Sequence, residues 1–307
     1  MAHGTVVVTG GRGFLGSHLC EGLVREGYSV HAIDITDHEL PHRPRSSDAR
    51  LHSIDIRNGD ALRILFDKLG TIAGIFHTAA LPRVQFSIDY PEESHDVNVN
   101  GTLTLLLAAR DHKVGKVIYS ASSSAYGDQE TLPLREHLLP RPKSPYALHK
   151  YLGEHYCKIF SEVYGVPTVS LRYFNLYGPG ADPSGAYAQA MIKFIHLRKH
   201  NKPLTITGDG EQTRDVVHVR DVVRANILAL QSTSVGNGEV VNIGSGTAPS
   251  INMVADMIGG EREYIAPRIE PKHTRADIVR AKELLGWEPE ISLEEGVAEL
   301  KKLFQIA

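Results

Sequence analysis

The chain of 307 residues predicts an α/β fold: a doubly wound parallel sheet joined to a smaller mixed α/β lobe. Three observations carry that prediction. Short apolar runs alternate with stretches of helical spacing through the N-terminal half. The runs are apolar at nearly every position, as strands covered by helices on both faces must be. A glycine-rich turn stands between the first run and the first helical stretch.

In chain order, Thr5–Thr9, Ser29–Asp34, Gly74–His77 and Lys116–Ser120 read as strands. Leu15–Glu26, Asp60–Leu69 and Val99–His112 carry helical spacing between them. The order βαβαβ argues parallel pairing, because parallel neighbours need a crossover that a helix supplies. Farther on, Val166–Leu171, Leu204–Ile206 and Val240–Ile243 read as strands, and Tyr146–Tyr164 and Val219–Leu230 as long helices. From Asn175 the texture changes: Gly178-Pro179-Gly180, Asp182-Pro183 and Gly208-Asp209-Gly210 mark loops. The expected division is a Rossmann-type domain of residues 1–174 plus 212–243 and a substrate-binding lobe of residues 175–211 plus 244–307.

Composition narrows the function classes. With 42% apolar and 22% charged residues the chain is an ordinary globular protein with ample core. A net charge of −3 offers no basic field for nucleic acid or an anionic membrane. No apolar run approaches the ~20 residues of a membrane span, and the start does not read as a signal peptide. Cys20 and Cys157 are the only two cysteines, which favours a reducing, cytoplasmic setting over a disulfide scaffold. The 16 histidines are scattered with no metal-ligand spacing, so no catalytic metal is expected.

Strand Val6–Val8 runs into Thr9-Gly10-Gly11-Arg12-Gly13-Phe14-Leu15-Gly16, and a helix follows at once. A tight turn, close backbone approach to a pyrophosphate and close helix packing all need glycine, and the helix start adds N–H donors. Asp34 ends the next strand 18 residues after Gly16, where an acid bonds the adenosine ribose. A carboxylate there repels a 2′-phosphate and favours NAD over NADP.

The spacing T-G-x-x-G-x-x-G resembles the extended branch of the short-chain dehydrogenase/reductase superfamily. The resemblance extends from Val6 to about Leu293. It implies that Asp55-Ile56 touch the adenine, that His77-Thr78-Ala79-Ala80 pass beneath the cofactor, and that Asn98 steadies the site. Cofactor contacts are thus expected from Gly10, Gly13, Phe14, Leu15, Gly16, Asp34, Asp55, Ile56, Ala79, Ala80, Asn98, Tyr146, Lys150 and Tyr173.

Tyr146 and Lys150 are spaced i, i+4 and share one helix face. An ammonium beside a phenol favours the phenolate, and a positive nicotinamide ring adds to this, which suits general acid–base work. Aligned on Tyr126-Gly127, the catalytic hydroxyl of the superfamily falls on Ser122. Sugar-nucleotide dehydratases of this kind carry Asp-Glu next, and the decarboxylating relatives keep the Glu. Here Ser123 and Ser124 stand there, which favours a 4-epimerase.

Arg172-Tyr173-Phe174-Asn175-Leu176-Tyr177-Gly178-Pro179 and Gly208-Asp209-Gly210-Glu211-Gln212-Thr213-Arg214-Asp215 resemble two further segments of such enzymes. By that resemblance Tyr173 lies against the nicotinamide, Asn175 reaches a substrate diphosphate, and Arg214 and Arg268 clamp it, with Arg275 as the alternative to Arg268. Val84, Ser123, Ser124 and Tyr187 complete the expected substrate contacts. Thr274 takes the place of a pocket-wall residue, and its small side chain implies room for an N-acetyl group. The implied activity is NAD-dependent inversion at C4 of UDP-hexoses in a homodimer paired through Val99–His112 and Tyr146–Tyr164. A nucleotide-sugar reductase or decarboxylase, or a NAD-sensing protein, is the rival. Whether the nucleotide is UDP or dTDP is not legible.

Overall fold

The computed structural model describes residues 3–35, 43–44, 47–183, 190–267 and 272–306. In chain order come β1 (Thr5–Thr9), α1 (Phe14–Arg25), β2 (Ser29–Asp34), β3 (Arg50–Ser53), α2 (Gly59–Leu69) and β4 (Ile72–His77). Then follow α3 (Val84–Asp89), α4 (Pro91–His95), a π turn (Asp96–Asn100), α5 (Gly101–Asp111), β5 (Val117–Ser122) and a 3-10 turn (Ser123–Tyr126). After these stand α6 (Pro145–Tyr164), β6 (Thr168–Tyr173), β7 (Asn175–Tyr177), α7 (Ala190–Lys199), β8 (Leu204–Thr207) and β9 (Val216–His218). The chain closes with α8 (Val219–Gln231), β10 (Asn237–Ile243), α9 (Ile251–Ile258), β11 (Arg262–Ile265), α10 (Val279–Leu285) and α11 (Leu293–Phe304).

Seven strands form one parallel sheet in the order β10-β6-β5-β4-β1-β2-β3. The chain leaves β1 toward β2 and β3, then crosses back to β4, so the winding reverses between β1 and β4. Ligands of such sheets bind outside the carboxyl ends of the strands at that reversal. Leu19, Leu23, Val222 and Trp287 cover one face of the sheet. Phe66, Leu105 and Phe160 cover the other. Two short sheets, β8 with β11 and β7 with β9, lie outside it. A further core of Phe194, Ile206, Val254 and Leu300 packs around β8.

The polar run Arg50–Ser53 carries no apolar pattern that would give a strand its bounds. It forms β3 at the sheet edge, where three of its four residues are exposed and an apolar pattern is not required. The expected helix from Val99 begins inside the π turn, and its regular part starts at Gly101. Helix α6 starts where Ser144 accepts from the Ala147 N–H, with Pro145 in the first turn, and ends at Gly165 in the left-handed conformation.

Candidate active site

The glycine turn joins β1 to α1 at the winding reversal. Gly10 takes φ +69°, and a Cβ there would lie 2.8 Å from the Ala79 nitrogen. At Gly13 a Cβ would stand 3.0 Å from the Gly10 carbonyl oxygen, and at Gly16 only 2.0 Å from it. The turn is closed by Gly13 N–H donating to Gly10 O at 2.9 Å. No side chain caps the start of α1, so its first N–H groups are left for an anion. The Arg12 N–H donates to Asp34 Oδ2 at 2.9 Å, which fixes that carboxylate beside the turn. Leu15 is buried beneath the turn, and Phe14 opens the helix. This cradle fits a dinucleotide pyrophosphate, with Asp34 at its ribose end.

Two further segments close on the turn. The Ala79 N–H donates to Thr9 Oγ1 at 3.2 Å, and Leu81 exchanges two hydrogen bonds with the Asn98 side chain, at 2.8 and 3.1 Å. Asn98 therefore holds the Ala79-Ala80 loop. Ile56 is buried against Gly101, whereas the Asp55 carboxylate is gripped by Arg57, which also reaches Asp96. His18 of α1 bonds the Pro179 carbonyl at 2.8 Å, and Arg43 bonds the carbonyls of Arg12 and Gly180. The Gly178–Gly180 loop is thereby tied to the cofactor turn.

His77 sits under this assembly. Thr102 donates to the Asn98 carbonyl at 2.7 Å, so its oxygen accepts from His77 Nε2 at 2.9 Å. His77 Nδ1 then accepts from Thr9 Oγ1 at 2.8 Å. Burial pushes the imidazole down to about 3, so it is neutral at pH 7. The unfolded imidazole takes up a proton near pH 6.5 and the folded one does not, so stability falls as pH drops below 6.5 toward 3. His77→Leu leaves two buried hydroxyls without their partner. It is expected to cost about 2–4 kcal/mol in urea unfolding at pH 7 and to remove that part of the acid slope.

The proton-handling groups converge from β5 and α6. Ser122 ends β5, paired in register with Tyr173 at the end of β6. Tyr146 stands in the first turn of α6, its N–H donating to Ser87 Oγ at 3.0 Å. Tyr146 is half-buried, and the Ser122 hydroxyl is the neighbouring group that favours its ionised phenol. Ser122 Oγ accepts from the Ser124 N–H at 3.2 Å and from Ser124 Oγ at 2.8 Å. With those acceptor sites filled, the single Ser122 proton is left to donate elsewhere.

Lys150 is buried one turn farther along α6, with its Nζ donating to the Ser120 carbonyl at 2.7 Å. Burial pulls this ammonium down to about 8. Burial also raises the Tyr146 phenol above the ordinary tyrosine value, and only the Ser122 hydrogen bond acts downward. Beyond Lys150, Glu154 and Arg172 form a buried bidentate pair at 2.7 and 2.6 Å. The Tyr173 hydroxyl is held by Asn226 at 2.9 Å.

The remaining expected contacts fall on three neighbouring segments. Asn175 Nδ2 donates to the Asp215 carbonyl at 2.7 Å. Arg214 Nη1 donates to the carbonyls of Thr213 and Lys272 at 3.0 and 3.2 Å. Thr274 lies alongside, its N–H bonded to Thr213 O and its carbonyl to the Asp215 N–H. Arg275 is exposed, with its carbonyl accepting from Leu134 N–H. Val84 opens α3, the helix that carries Ser87. Tyr187 and Arg268 lie outside the described residues. Ser87 escaped the sequence reading because a lone serine in a short helix carries no pattern. Asp215 was legible only as the last letter of a motif. Among the described residues no group of three or more His, Cys, Asp or Glu is placed to hold a metal ion, and no helix is long and apolar enough to cross a membrane.

The chain is similar in sequence and fold to known proteins. A putative UDP-glucose 4-epimerase of Methanocaldococcus jannaschii is 37% identical over 304 residues, covering 95% of each chain. A UDP-glucuronate 4-epimerase of Thermodesulfobacterium geofontis is 35% identical, covering 96% of this chain and 94% of its own. The crystal structure of the Thermotoga maritima UDP-glucose 4-epimerase with UDP-glucose superposes with a TM-score of 0.92 at 34% identity, covering 98% of each chain. The family model described as NAD dependent epimerase/dehydratase matches residues 6–244. The chain belongs to the NAD-dependent epimerase/dehydratase family.

Proposed function

We propose that this protein is a NAD-dependent 4-epimerase of UDP-hexoses, acting on UDP-glucose and UDP-galactose and on their N-acetyl forms. The observation that carries the reading is the hydroxyl-only turn beside the base. Ser122 is the hydroxyl that favours the ionised Tyr146 phenol, and Ser123 and Ser124 put no carboxylate where elimination or decarboxylation needs one. The relatives above are named for UDP-glucose and for UDP-glucuronate, whose sugars differ at C6, so inversion at C4 is what their names share.

Tyr146 takes the C4 hydroxyl proton, with Ser122 bridging, and returns it after inversion. Bound NAD supplies the two-electron acceptor at C4 that makes the step reversible. Lys150, anchored on Ser120 O, holds a positive charge in the enclosed site and steadies the phenolate against its burial. Asn175, Arg214 and either Arg268 or Arg275 grip the diphosphate, so the 4-keto hexose turns about a fixed anchor. Tyr187 and Val84 are the further substrate contacts in this reading.

We further propose the division already expected, residues 1–174 plus 212–243 for NAD and 175–211 plus 244–307 for the nucleotide sugar. A homodimer through α5 and α6 is supported by Leu148, Ile159 and Val163, which lie exposed along one face of α6. The two buried free thiols, Cys20 and Cys157, suit a reducing cytoplasm.

Purified protein given UDP-glucose or UDP-N-acetylglucosamine without added NAD is expected to form both C4 epimers of each. Thr274→Tyr is expected to abolish conversion of the N-acetyl pair and spare the plain hexoses. Equal conversion of both pairs by that variant removes Thr274 from the pocket wall. Absence of epimer formation from any of the four sugars overturns the proposed activity.

A further inference from the structure

Asp215 links Arg214 to β9 and is fully buried. Its carboxylate accepts four hydrogen bonds. Oδ1 takes Ser245 N–H at 2.6 Å and Ser245 Oγ at 2.9 Å. Oδ2 takes Gly246 N–H at 3.0 Å and Ala276 N–H at 2.9 Å. The backbone of the same residue does comparable work. Its carbonyl accepts from both the backbone and side-chain amides of Asn175, at 3.1 and 2.7 Å, and its N–H donates to Thr274 O at 3.0 Å. Three segments far apart in sequence, Asn175, Ser245-Gly246 and Thr274–Ala276, therefore meet on the residue that follows Arg214.

Among the described residues no lysine or arginine pairs with this carboxylate. A buried acid without a cation is a poor source of stability, and an apolar side chain of similar size often does better. What the carboxylate supplies is geometry, because backbone donors from two loops cannot be aligned on an apolar group. The space is also closed. A Cβ on Gly244 would stand 3.0 Å from each carboxylate oxygen and 2.7 Å from Ala276 Cβ.

We propose that Asp215 is a positioning residue for the nucleotide-sugar side of the site, setting Asn175, Arg214 and Thr274 at fixed spacing. The inference rests on the UDP-hexose reading and adds a residue that touches neither substrate nor cofactor. It acts through the groups it aligns.

The test measures UDP binding by calorimetry and steady-state kinetics with UDP-glucose, using the enzyme as purified. Asp215→Asn turns one acceptor into a donor facing N–H groups. Gly244→Ala keeps the charge and crowds the carboxylate, and Ser245→Ala removes only the hydroxyl donor. For Asp215→Asn and Gly244→Ala, Kd for UDP and KM are each expected to rise about tenfold or more, the scale of one charge-assisted hydrogen bond, with kcat at saturation and NAD content little changed. For Ser245→Ala the rise is expected to be smaller and in the same direction. If Asp215→Asn does not fold, the other two carry the same readout. Folded variants with lowered melting temperature and wild-type UDP affinity overturn the positioning role. Wild-type protein that binds no UDP overturns the UDP-hexose reading instead, and that arm is independent of the variants.

Discussion

Tyr146→Phe is expected to lower kcat by roughly three to four orders of magnitude, toward the upper end of what general acid–base catalysis supplies. The change removes one oxygen and keeps the ring. The anchors around it do not depend on that oxygen: the Tyr146 N–H stays on Ser87 Oγ, and Lys150 Nζ stays on the Ser120 carbonyl. UDP affinity is therefore expected to hold within about threefold, the pattern of an interaction made only in the transition state. Ser122→Ala removes the bridge and leaves the base, so its loss is expected to be smaller, about a hundredfold. Single-turnover and steady-state rates, with UDP calorimetry on the same samples, separate these effects. Unchanged activity in Tyr146→Phe refutes the assignment of the base.

Gly16→Ala is expected to strip the protein of its cofactor. The added Cβ would lie 2.0 Å from the Gly10 carbonyl oxygen and 2.9 Å from the Gly11 Cα, both backbone atoms of the turn. Neither atom can swing aside as a long side chain can, so the turn must open. Opening it withdraws N–H donors from the pyrophosphate, each worth about 1.5–3 kcal/mol toward a charged group, so NAD affinity drops by roughly two orders of magnitude. Gly165→Ala provides the contrast. Gly165 also takes a positive φ, of 67°, but nothing lies within 4 Å of its added Cβ. That variant is expected to be less stable by about 1 kcal/mol and to keep its NAD. NAD content after purification and a binding titration of stripped protein read both effects. Full NAD content in Gly16→Ala contradicts the cradle described here.

How much of this was legible in sequence depends on whether the signal was local. The run Val6–Val8, the glycines and Asp34 declare strand, turn and acid within one stretch of chain, because each is a backbone demand met by its own residue. The i, i+4 spacing of Tyr146 and Lys150, behind Ser144-Pro145, likewise declares a capped helix with two groups on one face. Spacing could not show that Lys150 Nζ is committed to Ser120 O, nor that burial raises the Tyr146 phenol, because both depend on what packs around α6. The bounds of edge strand β3 were not legible, since an exposed strand need not be apolar. The role of Asp215 was invisible for a related reason: its partners Asn175, Ser245, Gly246 and Ala276 come together only in the fold.

The most direct test of the central claim follows the hydrogen at C4. UDP-glucose deuterated at C4 is incubated with the enzyme as purified, and the products are read by proton and deuterium NMR alongside NADH absorbance. Epimerisation through enclosed oxidation and return predicts UDP-galactose that keeps its deuterium at C4, with none in the water and no accumulated NADH. Deuterium released to solvent, NADH formed in proportion to product, or a 4-keto sugar left in solution would contradict it.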